Sequence, residues 1–167
     1  TPELQAPLMR LLNVLRAHGV VSRIDEQLAR TSQLSAFSVQ QTTVPAAQIF
    51  EGVDAVIAMG GDGTLISLAR RAAEHDVPII GINQGRLGFL TDVAAKEIEA
   101  ALPALLAGEY SEERRALMDI SLTRDSAKTR ARDVREHAIA VNDVVLSRGS
   151  AGSMIEMLVS IDGKPAY

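Results

Sequence analysis

The stretch that decides the fold is residues 54–64, which read DAVIAMGGDGT. Residues 55–59 form a continuous apolar run, and such a run is typical of a strand that is buried on both faces. Glycines at positions 60, 61 and 63 then interrupt the run around a single aspartate, Asp62. The pattern predicts a buried strand that ends in a glycine-rich loop.

A helix and a second strand are predicted after this loop. Apolar side chains fall on one face of residues 64–75, and polar and charged side chains fall on the other. Residues 78–83, PIIGIN, form another apolar run. Because strand, loop, helix and strand fit within about 30 residues, the size of a βαβ unit, the two strands are predicted to be parallel. The first region is therefore expected to be α/β.

The flanking segments extend this picture. Thr1-Pro2-Glu3 is typical of a helix start, and leucines at helical spacing over residues 4–15 predict that this helix continues until shortly before Gly19. Residues 20–25 are predicted to form a strand. Residues 26–43 have no firm period and are interpreted as loop or weak helix. A further helix is predicted over residues 96–106, although Pro103 is expected to weaken or kink it.

The hydrophobic period changes from 3.6 to 2 after Tyr110. Residues 118–123 are predicted to form a half-buried strand, and the charged segment 124–136 is interpreted as a solvated turn. Strands are predicted over residues 138–146 and 154–161, followed by a hairpin-type turn at Asp162-Gly163. Three strands leave open edges and little core. We therefore expect either a piece of a longer protein or strands supplied from elsewhere.

Composition excludes several classes of function. The chain has 167 residues, 47% of them hydrophobic, with a net charge of −4 and 3% aromatic residues, which argues against nucleic-acid binding. No stretch approaches the roughly 18 uncharged apolar residues of a membrane span, and no signal peptide is visible, so a cytoplasmic protein is expected. With no cysteine and three scattered histidines, no metal site built from these ligands is expected.

The glycine loop suits phosphate binding, because backbone N–H groups lie there at the positive end of a helix dipole. The loop matches neither a Walker loop nor the dinucleotide pattern G-x-G-x-x-G. An aspartate in such a loop repels anions, so its presence there indicates a task of its own, such as accepting a proton from an attacking hydroxyl or holding a metal. Asp62 is thus the catalytic candidate. The alternative is a tight turn in which Asp62 or Thr64 merely caps the helix.

Three blocks together resemble the bacterial NAD kinases: GGDGT at 60–64, GINQGRLGFLTD at 81–92 and VNDVVL at 141–146. The resemblance runs in order over nearly the whole chain. The first block alone is shared with diacylglycerol- and sphingosine-type lipid kinases and with phosphofructokinases. The resemblance implies a Rossmann-like α/β nucleotide-binding domain over residues 1–116, then the beginning of a β-sandwich NAD-binding domain over residues 117–167, with the active site between them.

The family pattern also implies roles for individual residues. Asp62 falls on the base that activates the 2′-hydroxyl of the adenosine ribose of NAD for attack on ATP. The residues implied for ATP or phosphate are Gly60, Gly61, Gly63 and Thr64. Arg86 is a further phosphate candidate on its own grounds, because it lies in a glycine-rich loop after a strand, where ligand contacts concentrate. The residues implied for NAD are Asp62, Gly63, Phe89, Asn142, Asp143 and Ser153. Asp143 stands where the family usually has glutamate, and Ser153 stands where relatives often have a basic residue.

The resemblance further implies Mg²⁺ or another divalent cation with ATP, NAD as substrate, and a homodimer or homotetramer. No nucleic-acid or membrane partner is expected. A diacylglycerol-type lipid kinase is disfavoured by the second and third blocks. A non-catalytic nucleotide-binding module is the alternative from another functional class, and it would bind NAD without turnover.

Overall fold

The computed structural model describes residues 2–32, 41–85, 90–91, 93–125, 132–147 and 154–166. The chain divides into two compact units, Thr1–Leu117 and Met118–Tyr167. In the described residues, no helix combines the length and the apolar character that crossing a membrane requires.

The first unit alternates helices and strands. In chain order its elements are α1 Pro2–Ala17, β1 Ser22–Asp25, α2 Glu26–Thr31, β2 Gln41–Val44, β3 Val56–Met59, α3 Asp62–Glu74, β4 Ile79–Asn83, β5 Val93–Ala94 and α4 Ile98–Leu106. Short 3₁₀ turns cover Ala46–Gln48 and Ala95–Glu97. The predicted helices before Gly19, after the glycine loop and before Gly108 are confirmed.

All strand pairs of the first unit are parallel within the described residues. β1 pairs with β2, and β3, β4 and β5 form a second sheet in that order. Val56 lies opposite Ile79 and Met59 lies opposite Ile82, with α3 as the connection between the two strands. The predicted βαβ unit, and with it the α/β class of this region, is confirmed.

Two apolar clusters form the core of the first unit. The larger cluster joins one face of α1 to β1, α2, β4 and α4, and its buried members are Leu8, Leu11, Leu12, Leu15, Ile24, Ala29, Ile82, Ile98 and Leu102. Full burial of one such aliphatic side chain contributes roughly 1.5–3 kcal/mol. The smaller cluster contains Phe50, Val56 and Ala72. The clusters therefore place helices against the parallel strands.

Phe50 anchors the segment before β3 to α3. Its ring is 1% exposed and stacks on the His75 ring, with centroids 5.6 Å apart and planes 8° apart. The Arg71 guanidinium lies over the Phe50 ring, 4.8 Å from its centroid, and Arg71 also donates to the Ala46 carbonyl. Cation–π and ring contacts of this kind add to the apolar burial of the ring.

The described part of the second unit contains two hairpins. β6 Met118–Asp125 pairs antiparallel with β7 Arg132–Ala140, and the register shifts between Leu122 and Thr123. β8 Ser160–Ile161 pairs with β9 Lys164–Pro165. Asp162 and Gly163 connect them with φ of 50° and 75°, which are the values of a type I′ turn. The predicted hairpin turn is confirmed.

Two segments that contain strand residues were interpreted as loop or turn, because their polar side chains show no apolar alternation. β2, QTTV, takes up the end of the segment 26–43 that was interpreted as loop or weak helix, whereas the short helix α2 at the start of that segment agrees with the interpretation. The predicted solvated turn over 124–136 is also wrong at its ends, because β6 continues to Asp125 and β7 begins at Arg132. Backbone hydrogen bonds hold a two-stranded ladder whatever its exposed side chains are, so apolar alternation does not reveal it.

Of two other predicted strands, one lies earlier in the chain than expected and one is shorter. β7 ends at Ala140, and residues 143–147 have no regular structure, although 138–146 was predicted as a strand. Only Ser160 and Ile161 of the predicted strand 154–161 are paired. Residues 154–159 are exposed and lie outside any strand, although the Val159 carbonyl accepts from the Ala166 N–H at 2.8 Å next to the β8–β9 hairpin.

Candidate active site

Asp62 lies where β3 ends and α3 begins. Gly61 is the N-cap residue in extended conformation, and its carbonyl accepts from the Thr64 and Leu65 N–H groups at 3.0 and 3.2 Å. The helix therefore begins two residues earlier than predicted, and Asp62 belongs to its first turn rather than to a loop. The positive end of the helix dipole stabilises a carboxylate at this position.

The three glycines of the loop serve different purposes. A Cβ on Gly60 would lie 2.8 Å from Thr64 Cβ and closer still to Thr64 Oγ1, so only glycine fits beneath the helix turn. A Cβ on Gly61 or Gly63 would meet nothing within 4 Å. None of the three has a positive φ, so at Gly60 close approach rather than backbone strain accounts for the glycine. The missing side chains at 61 and 63 leave open space beside the start of α3.

A backbone donor from a distant segment holds the Asp62 carboxylate. The Leu90 N–H donates to Asp62 Oδ1 at 3.1 Å, across 28 residues of sequence. Asp62 is partly buried as a result of its position between β3 and this segment. The bond fixes one oxygen of the carboxylate toward residues that follow β4.

A buried polar pair lies next to this contact. Asn83, the last residue of β4, is 4% exposed, and Thr91 is 2% exposed. Asn83 Nδ2 donates to Thr91 Oγ1 at 2.9 Å, and Asn83 Oδ1 accepts from the Gly85 N–H at 2.8 Å. Both side chains belong to the block at 81–92, yet sequence reasoning assigned them no role. The available signal was a carboxamide directly at the end of an apolar strand.

Gly81 lets the helix and Thr91 approach β4. A Cβ at this position would lie 2.6 Å from Leu65 Cδ1 and 3.1 Å from Thr91 Cγ2. Leu65 in the first turn of α3 and Thr91 therefore both pack against β4 at Gly81. This packing brings Asp62, Leu90 and Thr91 to the carboxyl end of the parallel sheet, which is where ligands bind in open α/β sheets.

The other predicted site residues are placed only in part. Asn142 and Asp143 follow β7 in the second unit, and both are exposed. Arg86, Phe89 and Ser153 lie outside the described residues. Among the arginines of α3, Arg71 is engaged with Phe50 and Ala46, whereas Arg70 is exposed.

The described residues include no group of three or more His, Asp or Glu side chains that could together hold a metal ion. The described part of the site presents one oriented carboxylate beside a helix N-terminus. A hydroxyl group that reached Asp62 could lose its proton to the carboxylate, and an anion could lie against the N–H groups of the first turn.

Comparison with known proteins finds relatives along the whole chain. A family profile described as the ATP-NAD kinase N-terminal domain matches residues 9–110. Proteins named NAD kinase from Burkholderia lata, Cupriavidus pinatubonensis and Aromatoleum aromaticum are 34%, 35% and 37% identical over the whole chain. The chain covers 52%, 52% and 53% of them, so it spans about half the length of these curated relatives.

A solved structure has the same fold. The crystal structure of yeast NADH kinase complexed with NADH superposes with a TM-score of 0.79, covering 100% of this chain and 51% of that one, at 19% identity. At this identity the likeness speaks for the fold alone. The family profile, in contrast, covers well over half of the 167 residues. The chain therefore belongs to the ATP-NAD kinase family through the N-terminal domain of that family.

Proposed function

We propose that the protein containing this chain is an NAD kinase, which transfers the γ-phosphate of ATP to the 2′-hydroxyl of the adenosine ribose of NAD and so forms NADP. The observation that carries the proposal is the Asp62 carboxylate, held by the Leu90 N–H in the first turn of α3. The named relatives of the chain are NAD kinases over its whole length, which supports NAD rather than a lipid as the acceptor.

In the proposed mechanism Asp62 accepts the proton of the attacking hydroxyl as the new O–P bond forms and ADP leaves. The donor phosphates lie against the loop of Gly60, Gly61, Gly63 and Thr64, where the helix N-terminus attracts anions. The open space at Gly61 and Gly63 supports this placement, because phosphate oxygens could approach the backbone there.

Mg²⁺ fits this site as an ion that enters with ATP. Mg²⁺ typically binds through one or two carboxylates plus substrate phosphates rather than in a dedicated protein cage. The described residues offer no three-ligand group, and Asp62 is the carboxylate at the loop. When bound, the ion would neutralise phosphate charge that the Asp62 carboxylate otherwise repels.

The remaining parts of the proposal follow from the sequence. Arg86 would contact phosphate, and Phe89, Asn142, Asp143 and Ser153 would contact NAD together with Gly63. Residues 1–116 would be the nucleotide-binding domain, and residues 117–167 would begin a β-sandwich domain. A homodimer or homotetramer in the cytoplasm completes the proposal, to be checked by sedimentation of the full protein and by cell fractionation.

The test is NADP formation by the full-length protein from ATP, Mg²⁺ and NAD, read through an NADP-specific dehydrogenase. Removing a general base typically costs about 10²–10⁴-fold in rate, so Asp62→Asn should lose most of the turnover. The asparagine Oδ1 can still accept from Leu90, so the fold should be kept, as circular dichroism would show. Glu74→Gln, at the exposed far end of the same helix, is the matched control.

Three results would count against the proposal. Unimpaired Asp62→Asn would remove the mechanism. Diacylglycerol accepted in place of NAD would identify a lipid kinase, and NAD binding without turnover by the full-length protein would identify a non-catalytic module.

A further inference from the structure

We propose that Asn83 is a positioning residue. Its buried carboxamide bonds to Gly85 and to Thr91, near the two ends of the chain between β4 and β5, and thereby sets the position from which the Leu90 N–H donates to the Asp62 carboxylate. The part of this inference that concerns turnover rests on the proposed function. The part that concerns geometry does not.

The first step is that one side chain contacts both ends of the connection. Asn83 Oδ1 accepts from Gly85 N–H, two residues onward, and Nδ2 donates to Thr91 Oγ1, eight residues onward. The bond to Gly85 fixes the chain where it leaves β4, and the bond to Thr91 fixes it where it returns toward β5. A carboxamide carries its acceptor and its donor on two different atoms of one short side chain, so it can bond to two separate partners at once.

The second step is burial. Asn83 and Thr91 are 4% and 2% exposed, and Ile82 beside them is 1% exposed. Water cannot replace a hydrogen bond that is lost in such a place, so the Asn83–Thr91 bond persists rather than exchanging with solvent. The return point of the connection is therefore rigid.

The third step links this rigidity to Asp62. Leu90 directly precedes Thr91, and Thr91 is held by Asn83 on one side and rests against Gly81 on the other. The Leu90 N–H is thus presented to Asp62 Oδ1 from a fixed point. Loss of the Asn83–Thr91 bond would release that donor, and the carboxylate would lose one of the contacts that orient it. Misplacement of a reacting group by about 1 Å can cost on the order of 10²-fold in rate.

The experiment uses the full-length protein with Asn83→Leu, which removes both bonds at similar volume, and Thr91→Val, which removes only the hydroxyl and keeps a methyl against Gly81. Thr91→Ser restores the hydroxyl. Thr31→Val is the matched control, since its hydroxyl bonds only within α2, to the Gln27 and Leu28 carbonyls, among the contacts described. Amide hydrogen exchange at Leu90 is followed by NMR, and kcat and KM are measured for NADP formation.

We expect Leu90 exchange to accelerate at least about tenfold in Asn83→Leu and Thr91→Val, with kcat falling about 10–100-fold while KM for ATP and for NAD changes much less. Thr91→Ser should recover most of both effects, and Thr31→Val should show neither. If Asn83→Leu fails to fold, Thr91→Val carries the test.

Two outcomes would overturn the inference. Unchanged Leu90 exchange in both variants would mean that Asn83 does not position the donor. Faster exchange with unchanged kcat would mean that the donor does not matter for turnover. Absence of NADP formation by the unaltered protein would instead contradict the proposed function, and the exchange data would still decide the geometric part.

Discussion

At the scale of single residues, Gly60 and Gly63 should respond oppositely to substitution by alanine. Gly60→Ala places a Cβ 2.8 Å from Thr64 Cβ, and overpacking of this kind typically costs about 1–3 kcal/mol. Gly63→Ala meets nothing within 4 Å inside α3, and removing glycine from a helix typically gains up to about 1 kcal/mol. Urea unfolding of the two variants measures both changes, and equal losses would contradict the structure.

The same pair separates stability from activity. If phosphate approaches the backbone at position 63, Gly63→Ala should lower NADP formation although the protein is more stable. A stabilising substitution that reduces function is typical of an active site. Full activity in Gly63→Ala would move the phosphate away from this face of the helix N-terminus.

The candidate site was predictable from sequence where a side chain carries the chemistry. Asp62 stands out as the lone acid among glycines. The Leu90 donor was not predictable, because it is a backbone N–H whose direction depends on the return of the chain after β4. The Asn83–Thr91 bond was not predicted either, because it depends on how Thr91 packs against Gly81 in the folded chain.

At the scale of elements, α4 should depend on one side chain above its others. Ile98 is 0% exposed, lies at the first position of α4 and belongs to the cluster that includes α1. Ile98→Ala should cost about 2–5 kcal/mol, the range for buried aliphatic residues. Val21→Ala, at a position 76% exposed, should stay within about 0.5 kcal/mol. Chemical denaturation compares them, and similar midpoints would show that α4 is not part of the core.

The elements that sequence reasoning identified are those with an apolar period. α1, β3, α3 and β4 bury apolar side chains at spacings of 3.6 or in continuous runs, and their type was predicted correctly. β2 and the facing ends of β6 and β7 consist mostly of Gln, Thr, Arg and Asp, and the structure identifies them as strands by their pairing. Because these segments have no apolar period, no local pattern in the sequence predicts that they pair.

At the scale of the whole molecule, the buried core belongs to the first unit. All buried hydrophobic residues among those described fall between Leu8 and Leu102, whereas the second unit exposes many large apolar side chains. Residues 1–117 expressed alone should therefore show a helical circular dichroism spectrum and one cooperative thermal transition. Residues 118–167 alone should show no cooperative transition. A non-cooperative 1–117 fragment would mean that its core depends on the rest of the protein.

The burial of Phe50 has an optical consequence. The chain has no tryptophan, and Tyr110 is 65% exposed, whereas Phe50 is the only fully buried aromatic ring among the described residues. The fluorescence of Tyr110 is therefore a poor reporter of the core. A Phe50→Trp substitution would place a fluorophore against the His75 ring and beneath the Arg71 guanidinium. Its emission would shift to the red as the first unit unfolds, so the core could be watched without interference from the second unit.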